Sequence, residues 1–242
     1  MQLDGRTALV TGGCVRVGRA IAVALASKGA RVALHYFSSA DAAHAVADEI
    51  RALGSSCVLV QADLARPEAP ARLVRTSVEA LDGLDILINN AAIFPEGGWQ
   101  DTTLQVWDEV FAINLRAPFF LAQAFGLSLT GDARGHIINV ADWRALRPGV
   151  GHTAYTLAKA GLVAMTYSLA QSMAPAVQVN AVAPGAVLPP PGGDQSYLDK
   201  LAAQVPLKRY GSPLDVAQAV VYLLESDFVT GEVLHITGGQ QL

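Results

Sequence analysis

Arg6–Thr11 (RTALVT) runs directly into Thr11–Gly18 (TGGCVRVG), and Arg16–Lys28 then places apolar side chains at helical spacing. A short apolar run, a glycine-rich turn and an apolar-striped helix, in that order, predict a buried strand feeding a helix N-terminus. Gly29 stops the helix in the manner of a C-cap glycine. Glycines 12, 13 and 18 let the backbone turn tightly and approach a pyrophosphate, which the positive end of the helix then stabilises. A lone glycine-rich string can also be an ordinary strand-to-helix turn; its place between a first strand and a first helix favours nucleotide binding.

The same beat continues to the other end of the chain. Arg31–Tyr36 (RVALHY), Cys57–Gln61, Leu84–Asn89 (LDILIN), His136–Val140 (HIINV), Val177–Val182 and Glu232–Ile236 read as strands. Between them Ala40–Leu53, a segment with Pro67 in its first turn that ends near Leu81, Leu104–Leu129, His152–Met173 and Pro213–Leu224 read as helices. The strands are near-continuous Val, Ile, Leu and Ala, as expected of a parallel sheet covered on both faces. There is no internal repeat and no shift in composition, so residues 1–242 read as one domain. Pro189, Pro190, Pro191, Gly192 and Gly193, within the stretch Leu188–Leu198, read as a mobile loop over a site rather than a boundary.

Composition removes other classes. Of 242 residues, 52% are hydrophobic and 16% charged, which is too apolar for a disordered chain. Seventeen Lys and Arg against 21 Asp and Glu give a net charge of -4, which argues against nucleic acid or an anionic membrane as the main partner. The scarcity of charge predicts further burial between subunits. Two cysteines, Cys14 and Cys57, exclude a disulfide framework, and the five scattered histidines show no metal-ligand pair. No apolar run reads as a membrane span and the start leads straight into a strand, so a soluble, cytoplasmic protein is expected.

Two further places carry chemistry. A site that prefers NAD usually has an acid at the end of the second strand, about 20 residues after the glycines. Here His35, Tyr36, Phe37, Ser38 and Ser39 stand there, with no acid until Asp41. Arg16 sits in the loop where a guanidinium can reach a ribose 2′-phosphate, so the pair of observations points to NADPH. The alternative makes Arg16 a solvated cation on the first helical turn. Tyr155 and Lys159, four residues apart, project from one helical face. An ammonium beside a phenol stabilises phenolate, which makes the Tyr a usable proton donor; a surface Tyr with a solvated Lys is the alternative.

Over essentially its whole length the chain resembles the short-chain dehydrogenase/reductases. The resemblance is carried by TGGCVRVG, ADL at Ala62–Leu64, NNAA at Asn89–Ala92, Asn114, YTLAK at Tyr155–Lys159, VNAVAPG at Val179–Gly185 and TGEVLHITGG near the end. It implies a single Rossmann-type, doubly wound α/β domain of about seven parallel strands with helices on both faces, assembled as a homotetramer. It also implies a cofactor set: Gly12, Arg16, Val17, Gly18, His35, Ser38, Ser39, Asp63, Leu64, Asn89, Ala91, Tyr155, Lys159, Pro184, Gly185 and Leu188. Within it Asp63 would bond adenine, Lys159 would hold the nicotinamide ribose, and Pro184 and Gly185 would flank the nicotinamide. Tyr155 would donate the proton and Asn114 would anchor a relay water.

The departures narrow the resemblance. The family usually has Gly where this chain has Arg16, and Ser at the position of Asp142. Both changes, together with HYFSSADAA at His35–Ala43, resemble the pteridine reductase branch, in which Ser39 would help hold the 2′-phosphate and Phe94 would sandwich a pterin against the nicotinamide. Phe94 can equally be a buried loop aromatic. Phe37, Val187 and Pro189 replace polar residues common in the branch or the wider family, which puts cofactor affinity in question. Trp143 can wall a substrate pocket or exclude a pterin.

Asp142 makes chemical sense in its own right. A carboxylate facing a developing alkoxide raises the Tyr pKa and does not help carbonyl reduction. For a C=N bond in a polyaza ring, an acid that donates or relays a proton to ring nitrogen is useful. Its alternative is a solvent-facing strand end. The expected activity is NADPH-dependent reduction of a pterin or dihydropterin by Asp142, Tyr155, Lys159 and Asn114, with Arg16, Phe94 and Trp143 at the substrate and no metal. The rival expectations are a carbonyl or β-ketoacyl reductase and a non-catalytic NADP(H)-binding regulator.

Overall fold

The computed structural model describes residues 1–189 and 195–242. Strands and helices alternate: β1 (Thr7–Val10), α1 (Arg16–Ser27), β2 (Arg31–Tyr36), α2 (Ala40–Ala52), β3 (Cys57–Gln61), α3 (Ala69–Leu81), β4 (Ile86–Asn89) and α4 (Leu104–Phe111). A π-helical segment, Ala112–Arg116, joins α4 to α5 (Ala117–Ser128). Then follow β5 (Gly135–Val140), a 3-10 turn (Trp143–Ala145), α6 (Thr153–Ser172), β6 (Val177–Pro184), α7 (Gln195–Ala202), α8 (Pro213–Glu225) and β7 (Val233–Ile236).

The strands form one parallel sheet in the order β3-β2-β1-β4-β5-β6-β7. Alternation along the strands sends their side chains to two separate layers. Ala8, Val10, Leu34 and Ile88 pack with Ile21, Leu25 and Ile50 of α1 and α2 and with Val220 and Leu223 of α8. Leu9, Ala33, Leu87 and Ile137 pack on the other face with Leu73 of α3 and Leu121 and Phe125 of α5. The chain leaves β1 toward β2 and returns beyond β1 to β4, so the crevice above the carboxyl ends of β1 and β4 is the topological switch point, where such sheets bind ligands.

The domain, the seven strands and the helices on both faces agree with the sequence reading, and three local features differ. Pro67 lies in the turn before α3, and Pro70 occupies the first turn instead. The helix expected from Leu104 to Leu129 is interrupted by the π segment. The stretch Leu188–Leu198, expected as a loop, is helical from Gln195; Pro190, Pro191, Gly192 and Gly193 lie outside the described residues.

Read through its π segment, Leu104–Ser128 is by length and composition apolar enough to cross a membrane, which the sequence reading did not register. Leu121, Ala122 and Phe125 of that stretch are buried against the sheet, while Leu104, Phe119, Phe120 and Leu127 are exposed.

Candidate active site

The glycine loop is shaped by hydrogen bonds from three directions. Thr11 Oγ donates to the Ile88 carbonyl and accepts from the Asn90 and Ala91 amides, tying β1 to the residues that follow β4. Asn90 Nδ2 donates to the Thr11 and Gly12 carbonyls at 2.8 and 3.0 Å. The Gly12 amide donates to His35 Nδ1 at 3.0 Å, which leaves the His35 Nε2 proton to the Ala62 carbonyl at 3.1 Å. His35 is therefore a neutral imidazole; it is 3% exposed, and burial lowers its pKa against the opposing pull of Ala62. At Gly18 a Cβ would collide with the Gly12 carbonyl and the Asn90 amide, so the loop admits no side chain there. Gly12 has a φ of 58°, a conformation that suits glycine.

The loop has the form of a cradle for phosphate, and the end of β2 extends it. Arg16, at a φ of 54° that favours glycine, donates from its guanidinium to the Pro189 carbonyl at 2.6 Å. Ser38 and Ser39 are exposed beyond β2, and no acid stands at the strand end. These residues fit a cofactor that carries a 2′-phosphate better than one with a free ribose diol. Asp63 is half-buried, with a carboxylate that accepts from the Ala65 amide and pairs with Arg66 at 3.4 Å. Leu64, Asn89 and Pro184 are buried, while Val17, Ala91, Gly185 and Leu188 are half-buried.

Beyond β5 the character of the site changes. Tyr155 is 7% exposed, and its hydroxyl donates to Asp142 Oδ2 at 3.0 Å. Burial, then the Asp142 charge and the bond to it, hold the phenol well above its usual pKa; Arg144 pulls in the opposite direction. Lys159 donates to the Val140 carbonyl at 2.5 Å and lies 5.8 Å from the centre of the Tyr155 ring. Its burial lowers the ammonium pKa to about 8, opposed by Asp142. Asp142 faces the cluster: Tyr155 holds one oxygen, and the Arg144 amide donates to the other at 2.8 Å.

Asn114 is fully buried in the π segment and bonds both ways to Ile93, accepting from its amide at 3.0 Å and donating to its carbonyl at 2.9 Å. Pro118, four residues on, has no N–H, so the Asn114 carbonyl lacks the usual helical donor. Phe94 stacks on His152 with ring centres 3.9 Å apart and meets Tyr155 edge-on at 4.5 Å. His152 Nδ1 donates to the Pro95 carbonyl, and the Thr153 amide to the Gly97 carbonyl, so the Phe94 loop is fastened to the start of α6. Trp143 lies beside Arg144.

The enoyl-(acyl carrier protein) reductase family matches residues 16–241. The chain is a short-chain dehydrogenase/reductase. This reductase is 36% identical to the 3-oxoacyl-[acyl-carrier-protein] reductase of Aquifex aeolicus, over 99% of this chain and 98% of that one. It also superposes on the FolM alternative dihydrofolate reductase 1 of Brucella canis, complexed with NADP, with a TM-score of 0.95 and 33% identity, covering 99% of this chain and 95% of that one. A short-chain dehydrogenase of Burkholderia cenocepacia, in complex with NADP, gives a TM-score of 0.92 and 36% identity over the whole of both chains.

In this short-chain reductase the fold brings Asp142, Tyr155, Lys159, Phe94 and Trp143 to one end of the sheet, with Asn114 tied to the Phe94 loop. Arg16 and the serines lie on the β2 side. Sequence reading did not single out Arg144 or His152 as site residues. Arg144 is only two residues from Asp142, and His152 directly precedes α6, but neither position has a motif to mark it.

Proposed function

We propose that this enzyme is an NADPH-dependent reductase of pterin or dihydropterin rings. The observation that carries the reading is the Asp142 carboxylate, which stands 3.0 Å from the Tyr155 hydroxyl where the family usually places a serine. Arg16, Ser38 and Ser39, with no acid at the end of β2, support NADPH as the cofactor, as do the NADP complexes of the Brucella and Burkholderia proteins. The glycine loop and its bracing by Asn90 and His35 hold the pyrophosphate. Lys159 orients the nicotinamide ribose.

Bound NADPH supplies a hydride to the carbon of a C=N bond. Tyr155 gives its phenolic proton to the adjacent nitrogen, so the bond becomes CH–NH and a phenolate remains. Lys159 stabilises that phenolate, and a water held at the Asn114 carbonyl returns the proton. Burial and Asp142 keep that phenol protonated at neutral pH but also make it a weaker acid, which the charge of Arg144 partly offsets. Asp142 accepts from that phenol, and a protonated Asp142 would supply the same single proton in place of Tyr155. Phe94 and Trp143 provide the aromatic walls that a flat ring needs. The exposed Phe119, Phe120 and Leu127 on α5, beside a groove of about 360 Å³, support assembly with further copies of the chain as a homotetramer.

The second reading, a β-ketoacyl reductase, is favoured by the likeness to the Aquifex enzyme. NADPH oxidation is followed with a dihydropterin and, separately, with an acetoacetyl thioester, from acid to neutral pH. Turnover of the dihydropterin that strengthens toward acid, and is lost in Asp142→Ser, is expected. Turnover of the thioester alone, kept or raised in Asp142→Ser, establishes the second reading.

A further inference from the structure

A cation that no motif marks stands against the proton donor's carboxylate. Arg144 lies in the 3-10 turn after β5, with its side chain 27% exposed and that of Asp142 16%. Its backbone amide donates to Asp142 Oδ1, and its guanidinium stands 3.6 Å from the same oxygen. The guanidinium carbon lies 5.2 Å from the Trp143 ring centre and 5.7 Å from that of Phe94, so two aromatic rings help to fix its place. Asp142 thus has one oxygen turned to Tyr155 and the other to Arg144.

The charges around Tyr155 can be counted by element. Asp142 comes from the end of β5, Arg144 from the 3-10 turn and Lys159 from α6, while His152 lies across the Phe94 ring. From α4 and the π segment the apolar Val106, Trp107, Val110, Phe111 and Leu115 pack with Tyr155, while Asp108, Glu109 and Arg116 of the same elements are exposed. With neither Asp142 nor Arg144 present, Lys159 alone would face the phenolate. An aspartate adds a second anion beside it, and in a buried site two anions facing one cation oppose ionisation.

We propose that Arg144 is a positioning residue that balances the charge of Asp142, so that the carboxylate adds little net charge beside Tyr155 as its proton leaves. A carboxylate can then sit beside the proton donor without disabling it. The inference rests on Tyr155 as the proton donor and not on the choice of substrate. It also predicts that Arg144 and Asp142 are coupled: the worth of each depends on the presence of the other.

The test reads the phenol itself, in cofactor-free protein. Tyrosine is replaced biosynthetically by difluorotyrosine, whose phenol is intrinsically more acidic, and the fluorine resonance of residue 155 is assigned by its loss in Tyr155→Phe. Its ionisation midpoint is then followed with pH. Arg144→Met is expected to raise the midpoint by about one unit or more, the size of shift a close charge produces. Arg144→Lys should stay nearer the parent, and the double variant Asp142→Asn/Arg144→Met should return to the parent value or below. Arg144→Gln replaces Arg144→Met if the latter no longer melts cooperatively. A midpoint unmoved in the folded single variant, or raised equally in the double variant, overturns the proposal. Failure to turn over a dihydropterin would remove the proposed substrate and leave this titration as it stands.

Discussion

Around Thr11, hydrogen bonds join a hydroxyl, an amide side chain, a neutral imidazole and backbone groups, and none of these carries charge. Around Tyr155, on the other side of the switch point, two anionic or potentially anionic groups face two cations in a space largely closed to water. The first cluster determines where the backbone runs. The second determines where protons reside. A neutral network of this kind is costly to leave unpaired but holds no proton affinity that function could use, whereas each member of a charged cluster tunes the others. Variants in the two clusters should therefore fail in different ways.

The largest expected effect is in the charged cluster. Tyr155→Phe keeps the ring against Phe94 and removes only the hydroxyl, so turnover should fall about 10³-fold while the melting profile is kept. Retained turnover would take the chemistry away from this cluster. In the neutral cluster, Thr11→Val removes one donor and leaves the Ala91 amide unpaired, while the Asn90 amide keeps the Ile88 carbonyl. Denaturant melts should show a loss of about 2–3 kcal/mol together with weaker NADPH binding. A variant that kept stability but lost turnover at saturating NADPH would erase the distinction between the clusters.

Proton dependence sharpens the contrast. Lys159 loses its charge near pH 8, so turnover should decline above that pH and approach a tenfold fall per unit in a pH–rate profile. Stability moves the other way. Between about 8 and the ordinary value of 10.5 the unfolded chain holds a proton that the folded chain has released, so the unfolding free energy rises with pH across that window. Turnover that stays flat well above pH 8 would show that the ammonium charge is not used. The smallest effect is expected outside both clusters: Arg19→Gln breaks an exposed pair with Glu49 and should change stability by less than about 0.5 kcal/mol.

The sheet was legible because a parallel strand buried on both faces has little freedom in composition, and β1, β2 and β3 read almost to the residue. The glycine loop, Tyr155 and Lys159 were legible because their spacing is tied to local geometry. What the sequence did not disclose depends on tertiary packing. His35 reads as one polar residue in a polar run, and only the approach of Gly12 and Ala62 gives its ring two partners. Phe94 was open between a site wall and a packed loop aromatic, and its stack on His152 joins residues far apart in the chain. The reach of Arg144 back to Asp142 depends on a 3-10 turn that no periodicity announces.

The π segment at Ala112–Arg116 has a consequence for phase. An α-helix advances about 100° per residue, so a wide turn that takes up one extra residue shifts the phase of the sequence beyond it by about that angle. On one side of the insertion Val110, Trp107 and Phe111 gather with Tyr155; on the other Leu121, Ala122 and Phe125 gather under the sheet. A single continuous stripe would have pointed both sets the same way. The wide turn takes up one residue and so sets the two faces about 100° apart. Deleting one residue there would restore a plain α-helical turn and leave both sets on their partners, whereas winding every residue into α turns would swing the stripes into line and force one of them off its partner.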